Sequence, residues 1–110
     1  MKLFITAEGN KLSSKPDDRF GRGNYFQIVD SETGEIIEAK ENPFKSGSHG
    51  VGIKTSNYVA KNADVAICKK FGPKAAEVLK QSGVQMYITR GDTVKDVVEN
   101  FKNNKLEKFL

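Results

Sequence analysis

The stretch from Ala63 to Phe101 constrains the fold most, because strand and helix patterns alternate along it. The apolar run Val65–Cys68 is long enough for a buried strand and too short for a buried helix. Pro73 then opens a helical pattern, since its ring presets φ and its missing N–H would have no partner in a first helical turn. Gly83 ends this helix, because glycine accepts the left-handed conformation at a helix C-terminus. We therefore expect a buried strand followed by a helix.

The alternation continues towards the C-terminus. Val84, Met86 and Ile88 follow as a second strand, in which Met86 is expected to pack in the core. Thr93–Asp96 resembles the capping box of a last helix, which runs through Phe101. Strand, helix, strand and helix in this order imply parallel strands joined by a right-handed crossover.

The N-terminal half predicts three strands and a helix. Lys2–Ala7 is apolar on both faces, as expected at the centre of a helix-covered sheet. Tyr25–Asp30 and Glu35–Glu41 form a hairpin around the turn Ser31–Gly34, and the charges of its second strand suit a sheet edge. A helix follows from about Val51 to Asn62. Its predicted inward residues are Ile53, Ser56, Val59, Ala60 and Ala63.

This element order predicts an α/β fold with three helices. A mixed five-stranded sheet of order 3-2-1-4-5, with strand 2 antiparallel, satisfies it, as in ribonuclease-H-like topology. Ligands of open α/β sheets bind outside the carboxyl ends of the strands, where the connection reverses direction. We expect three segments to meet there: the loop after Ala7, the turn 69–72 and the entry to the first helix near His49. The loop 8–24 is long enough to be a candidate binding loop.

The length of 110 residues predicts a single domain, 1–110, without a linker or an internal repeat. No apolar run approaches the roughly 20 residues of a membrane span, and the apolar N-terminus is too short for a signal-peptide core. We therefore expect a cytoplasmic protein with no membrane partner. A single cysteine excludes an internal disulfide and an all-cysteine metal site within one chain.

The positive charges are more informative in their distribution than in their sum. A formal net charge of +4 is explained by a solvated surface, so no nucleic-acid partner is expected. The cations that fall in or beside predicted loops hint at an anionic ligand, and they are Arg19, Arg22, Lys45, Lys69, Lys70, Lys74 and Arg90.

Four short motifs, in their order along the chain, resemble the dinitrogenase iron–molybdenum cofactor-binding family. They are Arg19-Phe20-Gly21-Arg22 leading into Tyr25-Phe26, then Ser48-His49-Gly50, Phe71-Gly72-Pro73-Lys74-Ala75 and Gly91-Asp92-Thr93-Val94. The resemblance spans roughly Leu3 to Leu106. The family comprises small accessory and carrier proteins of nitrogenase cofactor assembly, with relatives of unknown role. The resemblance implies the ribonuclease-H-like fold and binding of an iron–sulfur or iron–molybdenum type cluster, or its precursor.

The sequence departs from this family at one position. The phenylalanine-glycine motif is usually preceded by histidine, and Arg19 stands there instead. Guanidinium is always protonated and cannot serve as an ordinary metal ligand. Arg19 can still clamp an anion.

His49 is the first candidate metal ligand. Neutral imidazole is a common ligand, and the flanking Gly47 and Gly50 would let the backbone approach a bulky cluster. The alternative is a surface histidine, or a helix N-terminal residue that hydrogen-bonds the backbone.

Cys68 is the second candidate ligand, at the end of a predicted central strand. Lys69, Lys70 and the following helix N-terminus would favour its thiolate, which binds iron–sulfur and molybdenum–sulfur species well. The alternative is a small buried hydrophobe that ends a strand. One Cys68 and one His49 per chain could give four ligands only across a two-fold axis, so both a monomer and a homodimer stay open.

The third candidate is an anion site at the helix that follows Phe71. Gly72 and Lys74 lie at the helix N-terminus, where free N–H groups and the helix dipole attract anions. Arg19, Arg22 and Arg90 could complete such a site. The alternative is an ordinary strand-to-helix turn. Phe20 and Phe71 either line a pocket mouth or anchor the loops.

Three functions compete at this point. The first is a non-enzymatic carrier for an anionic metal–sulfur cluster. The second is a two-metal nuclease, which needs several converging carboxylates and is not expected, because Glu8 alone ends a central strand and the loop placement of Asp17 and Asp18 is open. The third is a metal-free binding module for a small anion or a protein partner, which the same cationic helix entrance would serve.

Overall fold

A computed structural model describes residues 1–109 of the chain. It contains five strands and three helices, in the order β1 (Lys2–Ala7), β2 (Tyr25–Asp30), β3 (Ile36–Glu41), α1 (Val51–Asn62), β4 (Val65–Cys68), α2 (Pro73–Gln81), β5 (Gln85–Ile88) and α3 (Val94–Lys102).

The strands form one mixed sheet of order β3-β2-β1-β4-β5. β2 is antiparallel to β1 and to β3, whereas β4 is parallel to β1 and to β5. The predicted α/β class, strand order and antiparallel strand 2 are therefore confirmed. β1 lies at the centre and is buried from Leu3 to Ala7, which explains why it is apolar on both faces.

The helices cover the two faces of the sheet. On one face, Phe4 and Phe26 pack with Val59 of α1 and Leu79 of α2. On the other face, neighbouring strand residues pack against α3, in a cluster of Leu3, Ile5, Val29, Val65, Ile67, Val94, Val97 and Val98. Burying one such side chain contributes about 1.5–3 kcal/mol, so the two clusters hold the layers together.

The helix ends follow the local signals that the sequence carries. Pro73 begins α2, and Gly83 follows it with a φ of 78°, in the left-handed region. The hydroxyl of Thr93 caps α3 by accepting a hydrogen bond from the Asp96 N–H. Ser82 is the exposed C-cap of α2.

The prediction that Ile53 faces the core is wrong. The inward face of α1 is formed by Val51, Thr55, Ser56 and Val59, whereas Ile53 is 38% exposed. Because successive helical residues are about 100° apart, a stripe that starts at Val51 turns Ile53 to the other side.

The outer edge of the sheet, at β3, is irregular. β3 is an edge strand whose pairing with β2 is interrupted by a bulge, beside the exposed Ile37. Bulges and charges at an edge discourage further strand pairing.

Among residues 1–109, no helix has the length and apolar character needed to cross a bilayer.

The topology also fixes where two of the helices begin. Helices that connect parallel strands run antiparallel to them, so the N-termini of α1 and α2 lie at the edge where β1 and β4 end. This edge carries the candidate site.

Candidate functional site

A cleft of about 730 Å³ opens at the carboxyl ends of β1 and β4. Its walls come from three segments of the chain: 18–22, 50–53, and Lys70 with 72–75. These are the loop after β1, the entry to α1 and the turn between β4 and α2. The structure thus brings together the three segments that the sequence predicted to meet.

Two helix N-termini open onto this cleft without a side-chain cap. α1 begins after Gly50 and α2 begins after Gly72, and neither helix has an acidic residue in its first turn. The first backbone bonds are donated by the N–H groups of Lys54 and Ala76 to these two glycine carbonyls. The earlier N–H groups, on Val51, Gly52, Ile53, Lys74 and Ala75, are therefore left for solvent or a ligand.

The third helix differs from the other two. The N–H groups of Val94 and Lys95, in the first turn of α3, donate to the carbonyls of Ser14 and Leu12 in the loop after β1. Thr93 caps the next donor. The protein itself therefore satisfies the N-terminus of α3, whereas those of α1 and α2 remain open at the cleft.

Small residues allow the two open helix ends to lie close together. A Cβ built on Gly52 would lie 3.7 Å from the Cβ of Ala75, in ordinary contact, and a Cβ on Gly21 would lie 3.2 Å from the Cα of Gly52. The hydroxyl of Ser56 lies 2.8 Å from the Gly52 carbonyl oxygen and 3.2 Å from that of Ala75, so it links α1 to α2. Residues at both helix N-termini therefore line the same cleft.

Four cationic residues and one acidic residue line the cleft. The cations are Arg19, Arg22, Lys70 and Lys74, and the acid is Asp18. Cations beside a helix N-terminus are unfavourable unless an anion is present, because that end of the helix dipole is positive. The electrostatics of the cleft therefore favour an anionic occupant.

Arg19 is held by the carboxylate of Asp17, two residues before it in the chain. Its Nε and Nη2 donate to the two oxygens of Asp17 at 3.0 and 2.9 Å, a fork-like ion pair. Burial would raise the pKa of Asp17, but hydrogen bonds from Arg19 and from the Asn24 N–H outweigh it and hold that pKa below its usual value. The hydrogen bond to Asp17 in turn raises the pKa of Arg19.

Arg22 and Asn42 tie two loops together at the cleft. Arg22 donates from Nη1 to the Lys45 carbonyl at 3.0 Å. Asn42 is buried, and its amide nitrogen donates to the carbonyls of Gly21 and Gly23. These bonds fix the wall 18–22 against the loop that leads into α1.

Cys68 lies beneath the cleft and is fully buried. Its sulfur is 3.3 Å from the Asp18 carbonyl oxygen and 3.6 Å from the Thr6 hydroxyl. Burial raises the pKa of Cys68, which corrects our expectation that the nearby lysines would favour its thiolate. The loop 17–18 folds over the strand end and removes the thiol from solvent, so desolvation dominates.

His49 is exposed and immediately precedes the N-cap of α1. Neither His49 nor Cys68 is among the described residues that line the cleft. Within residues 1–109, no three His, Cys, Asp or Glu side chains converge as a metal site. The residues present suit an anion better than a metal ion that needs several protein ligands.

The remaining sequence candidates have mixed positions. Gly72 and Lys74 line the cleft, as expected for an anion site. Arg90 is exposed and is not among the described lining residues. Phe20 and Phe71 are both buried with ring centroids 5.1 Å apart, so they anchor the loops, and Phe20 also lines the cleft.

Sequence reasoning missed two residues that shape the site. The placement of Asp17 stays open in the sequence, where the one hint of its ion pair is that it stands two residues before Arg19 in a loop. Asn42 precedes Pro43, and asparagine before proline favours a turn, which was the available hint.

The fold and the cleft together describe a small α/β protein with a cationic cleft at the carboxyl ends of its parallel strands. A family model described as dinitrogenase iron-molybdenum cofactor matches residues 1–104, and the chain belongs to this family. The resemblance inferred from the four sequence motifs is thereby confirmed.

Individual relatives match nearly the whole chain. A protein of Methanocaldococcus jannaschii, described as uncharacterized, is 36% identical over 112 residues, which cover 99% of this chain and 92% of the relative. The apo form of the orange protein from Desulfovibrio gigas is 33% identical with a TM-score of 0.89, covering 97% of this chain and 91% of that one. A NifB-like protein from Thermotoga is 35% identical with a TM-score of 0.80, with the same coverage of 97% and 91%.

Proposed function

We propose that this protein is a non-enzymatic binding or carrier protein for an anionic metal–sulfur cluster, iron–sulfur or molybdenum-containing, or for its precursor. The observation that carries the proposal is the pair of uncapped helix N-termini, α1 and α2, which open onto one cationic cleft. Membership of the iron–molybdenum cofactor family supports a cluster as the anion.

The size of the cleft supports a ligand larger than a single tetrahedral anion. Its volume of about 730 Å³ lies within the range of about 300–1,000 Å³ that suits a ligand of many atoms. Five backbone N–H groups and the cationic side chains would contact the outer acceptor atoms of such a ligand.

The proposed mode of binding relies on charge and hydrogen bonds more than on metal ligation. We propose His49 as the metal ligand, because its side chain is exposed and it directly precedes Gly50, which lines the cleft. Cys68, the other sequence candidate, we propose to hold the cleft floor together through its contacts with the loop 17–18. Loose ligation suits a carrier, which has to release its cargo to a partner protein.

Anaerobic loading tests this proposal. Metal-free protein is titrated with iron, sulfide and tetrathiomolybdate, then desalted and measured by absorption and metal analysis. The double variant Arg22→Gln/Lys74→Gln removes two positive charges from the cleft. The matched control Lys61→Gln/Lys80→Gln removes two exposed charges from α1 and α2 outside it.

We expect the cleft variant to bind at least about tenfold more weakly, because each lost charge-assisted contact is worth about 1.5–3 kcal/mol, and the control to change binding less than about twofold. Equal losses in both variants would show that binding follows net charge and would refute the cleft as the site. His49→Ala, compared with Ser48→Ala, tests the ligand: loss of retained metal in the first alone supports ligation by His49.

A metal-free anion-binding module is the second candidate function. The lack, within residues 1–109, of three converging metal-ligating side chains favours it. Binding of phosphate or molybdate in the cleft, with no metal retained from any cluster precursor, would select this alternative.

Several sequence predictions stay predictions. They are the cytoplasmic location, the single domain, the ribonuclease-H-like classification, the monomer or homodimer, the absence of a nucleic-acid partner and the protein partner in cofactor assembly. Light scattering before and after loading would reveal whether the chain dimerises when a cluster binds.

A further inference from the structure

The guanidinium of Arg19 is exposed, yet it is held in one orientation. Its side chain is 59% exposed, whereas Asp17 beside it is 5% exposed. Of the five N–H donors of an arginine, Nε and Nη2 each give one to Asp17, which leaves three for other acceptors. Because Arg19 lines the cleft, these donors are available to a ligand there.

Asp17 is itself fixed to the central strand. Its N–H donates to the Thr6 carbonyl at 2.9 Å, and the Thr6 hydroxyl donates to the Asp17 carbonyl at 2.9 Å. The carboxylate also accepts from the backbone N–H groups of Arg19 and Asn24. A chain of short contacts therefore connects the Arg19 guanidinium to the sheet.

We propose that Asp17 is a positioning residue that orients the Arg19 guanidinium for binding of an anion in the cleft. This inference rests on the proposed function, and it adds a residue that acts on binding through Arg19. An exposed arginine that is free to rotate loses side-chain entropy when it binds. Asp17 removes much of this cost in advance, because the fork is already ordered.

Electrostatics alone predicts the opposite effect. A carboxylate close to the cleft repels an anion and cancels part of the charge of Arg19, so its removal should strengthen binding. The positioning role predicts that its removal weakens binding. The sign of the effect therefore separates the two accounts.

A double-mutant cycle tests the inference with four proteins: wild type, Asp17→Asn, Arg19→Gln and the double variant. Asparagine keeps the shape of aspartate and an acceptor oxygen but has no charge and cannot accept the full fork. The dissociation constants of tetrathiomolybdate and of molybdate are measured for each, and urea unfolding confirms that each protein is folded.

We expect Asp17→Asn to weaken binding about tenfold when Arg19 is present and less than about twofold when residue 19 is glutamine. An equal loss in both backgrounds would mean that Asp17 only supports the loop, and tighter binding would mean that its charge dominates; both results overturn the inference. NMR relaxation of the Arg19 Nε–H gives an independent readout, which should become mobile in Asp17→Asn.

Failure of the proposed function has a different signature. If the wild type binds molybdate with the expected cycle but retains neither tetrathiomolybdate nor an iron–sulfur cluster, the cluster-carrier proposal falls and the positioning role is supported. If the wild type binds none of the three, both fall. An Arg19 Nε–H that is equally mobile in wild type and Asp17→Asn overturns the positioning role whatever the binding result.

Discussion

Replacing Gly72 by aspartate should separate the stability of this protein from its binding. Gly72 is the N-cap of α2, with φ −63° and ψ 154°, an extended conformation that any residue adopts. Apart from the adjacent residues in the chain, no atom lies within 4 Å of a Cβ built there. An aspartate can therefore enter without strain and place its carboxylate on the N–H groups of Lys74 or Ala75.

The expected change in stability is small and favourable. Aspartate at an N-cap improves on glycine by a few tenths of a kcal/mol, and a negative charge at a helix N-terminus adds about 0.3–1 kcal/mol. We therefore expect Gly72→Asp to raise the free energy of unfolding by about 0.5–1 kcal/mol. Urea unfolding, followed by circular dichroism, measures this change.

The expected change in binding is large and unfavourable. The new carboxylate occupies the N–H groups that we assign to the ligand, and it repels an anion. Two unit charges about 5 Å apart at an effective dielectric constant of about 20 interact by about 3 kcal/mol, and solvent in the open cleft reduces this value. We therefore expect tetrathiomolybdate to bind at least about tenfold more weakly, which corresponds to about 1.4 kcal/mol.

Gly72→Asn provides the matched control. Asparagine caps the same N–H groups without adding a charge, so it should weaken binding less than aspartate does. If Gly72→Asp bound tetrathiomolybdate as tightly as the wild type, the α2 N-terminus would not be the binding site. A loss of more than about 1 kcal/mol of stability would instead show that the local geometry of the cap is wrong.

Three further predictions concern stability. Gly23→Ala should lower the free energy of unfolding by about 1–3 kcal/mol, because the new Cβ would lie 2.8 Å from a backbone oxygen and 2.9 Å from a strand side chain. Gly52→Ala should not destabilise the protein, because its new Cβ makes only an ordinary contact. Equal urea midpoints for the two variants would contradict this difference. Thr93→Ala should cost about 1 kcal/mol through loss of the α3 cap, and an unchanged midpoint would show that the cap contributes nothing. Burial raises the pKa of Cys68, so the unfolded chain, whose thiol ionises near pH 8.5, releases its proton first and the free energy of unfolding falls as the pH rises above about 8.5. Cys68→Ala should lack this component of the alkaline decline, and an identical decline in both proteins would refute it.

Much of the fold follows from local signals in the sequence. Pro73, Gly83 and Thr93 mark helix ends through their own backbone and side-chain chemistry, and the structure places helix boundaries beside all three. The apolar pattern of β1 indicates a strand covered on both sides. Strand order then follows from the few topologies that short, right-handed connections allow.

The location of the candidate site can be predicted from the sequence, but the contacts of its side chains can be predicted only in part. The meeting of three loops follows from topology, because the parallel strands end at one edge of the sheet. The periodic pattern of α1 fits a buried stripe that includes Ile53 as well as one that starts at Val51, and only the packing of the helix decides between them. The ordered fork between Asp17 and Arg19 also depends on Thr6 and Asn24, which hold Asp17 in place.

The sequence by itself determined the element order, the sheet topology, the helix ends and the edge of the sheet at which the cleft opens, because each depends on residues close in the chain or on general rules of connection. Only the tertiary structure decided that Cys68 is buried, that His49 is exposed beside the cleft and that the α3 N-terminus is filled while those of α1 and α2 stay open. The physical reason is that the surroundings of a side chain at a strand or helix end are set by loops distant in sequence, which cover one end and leave another open.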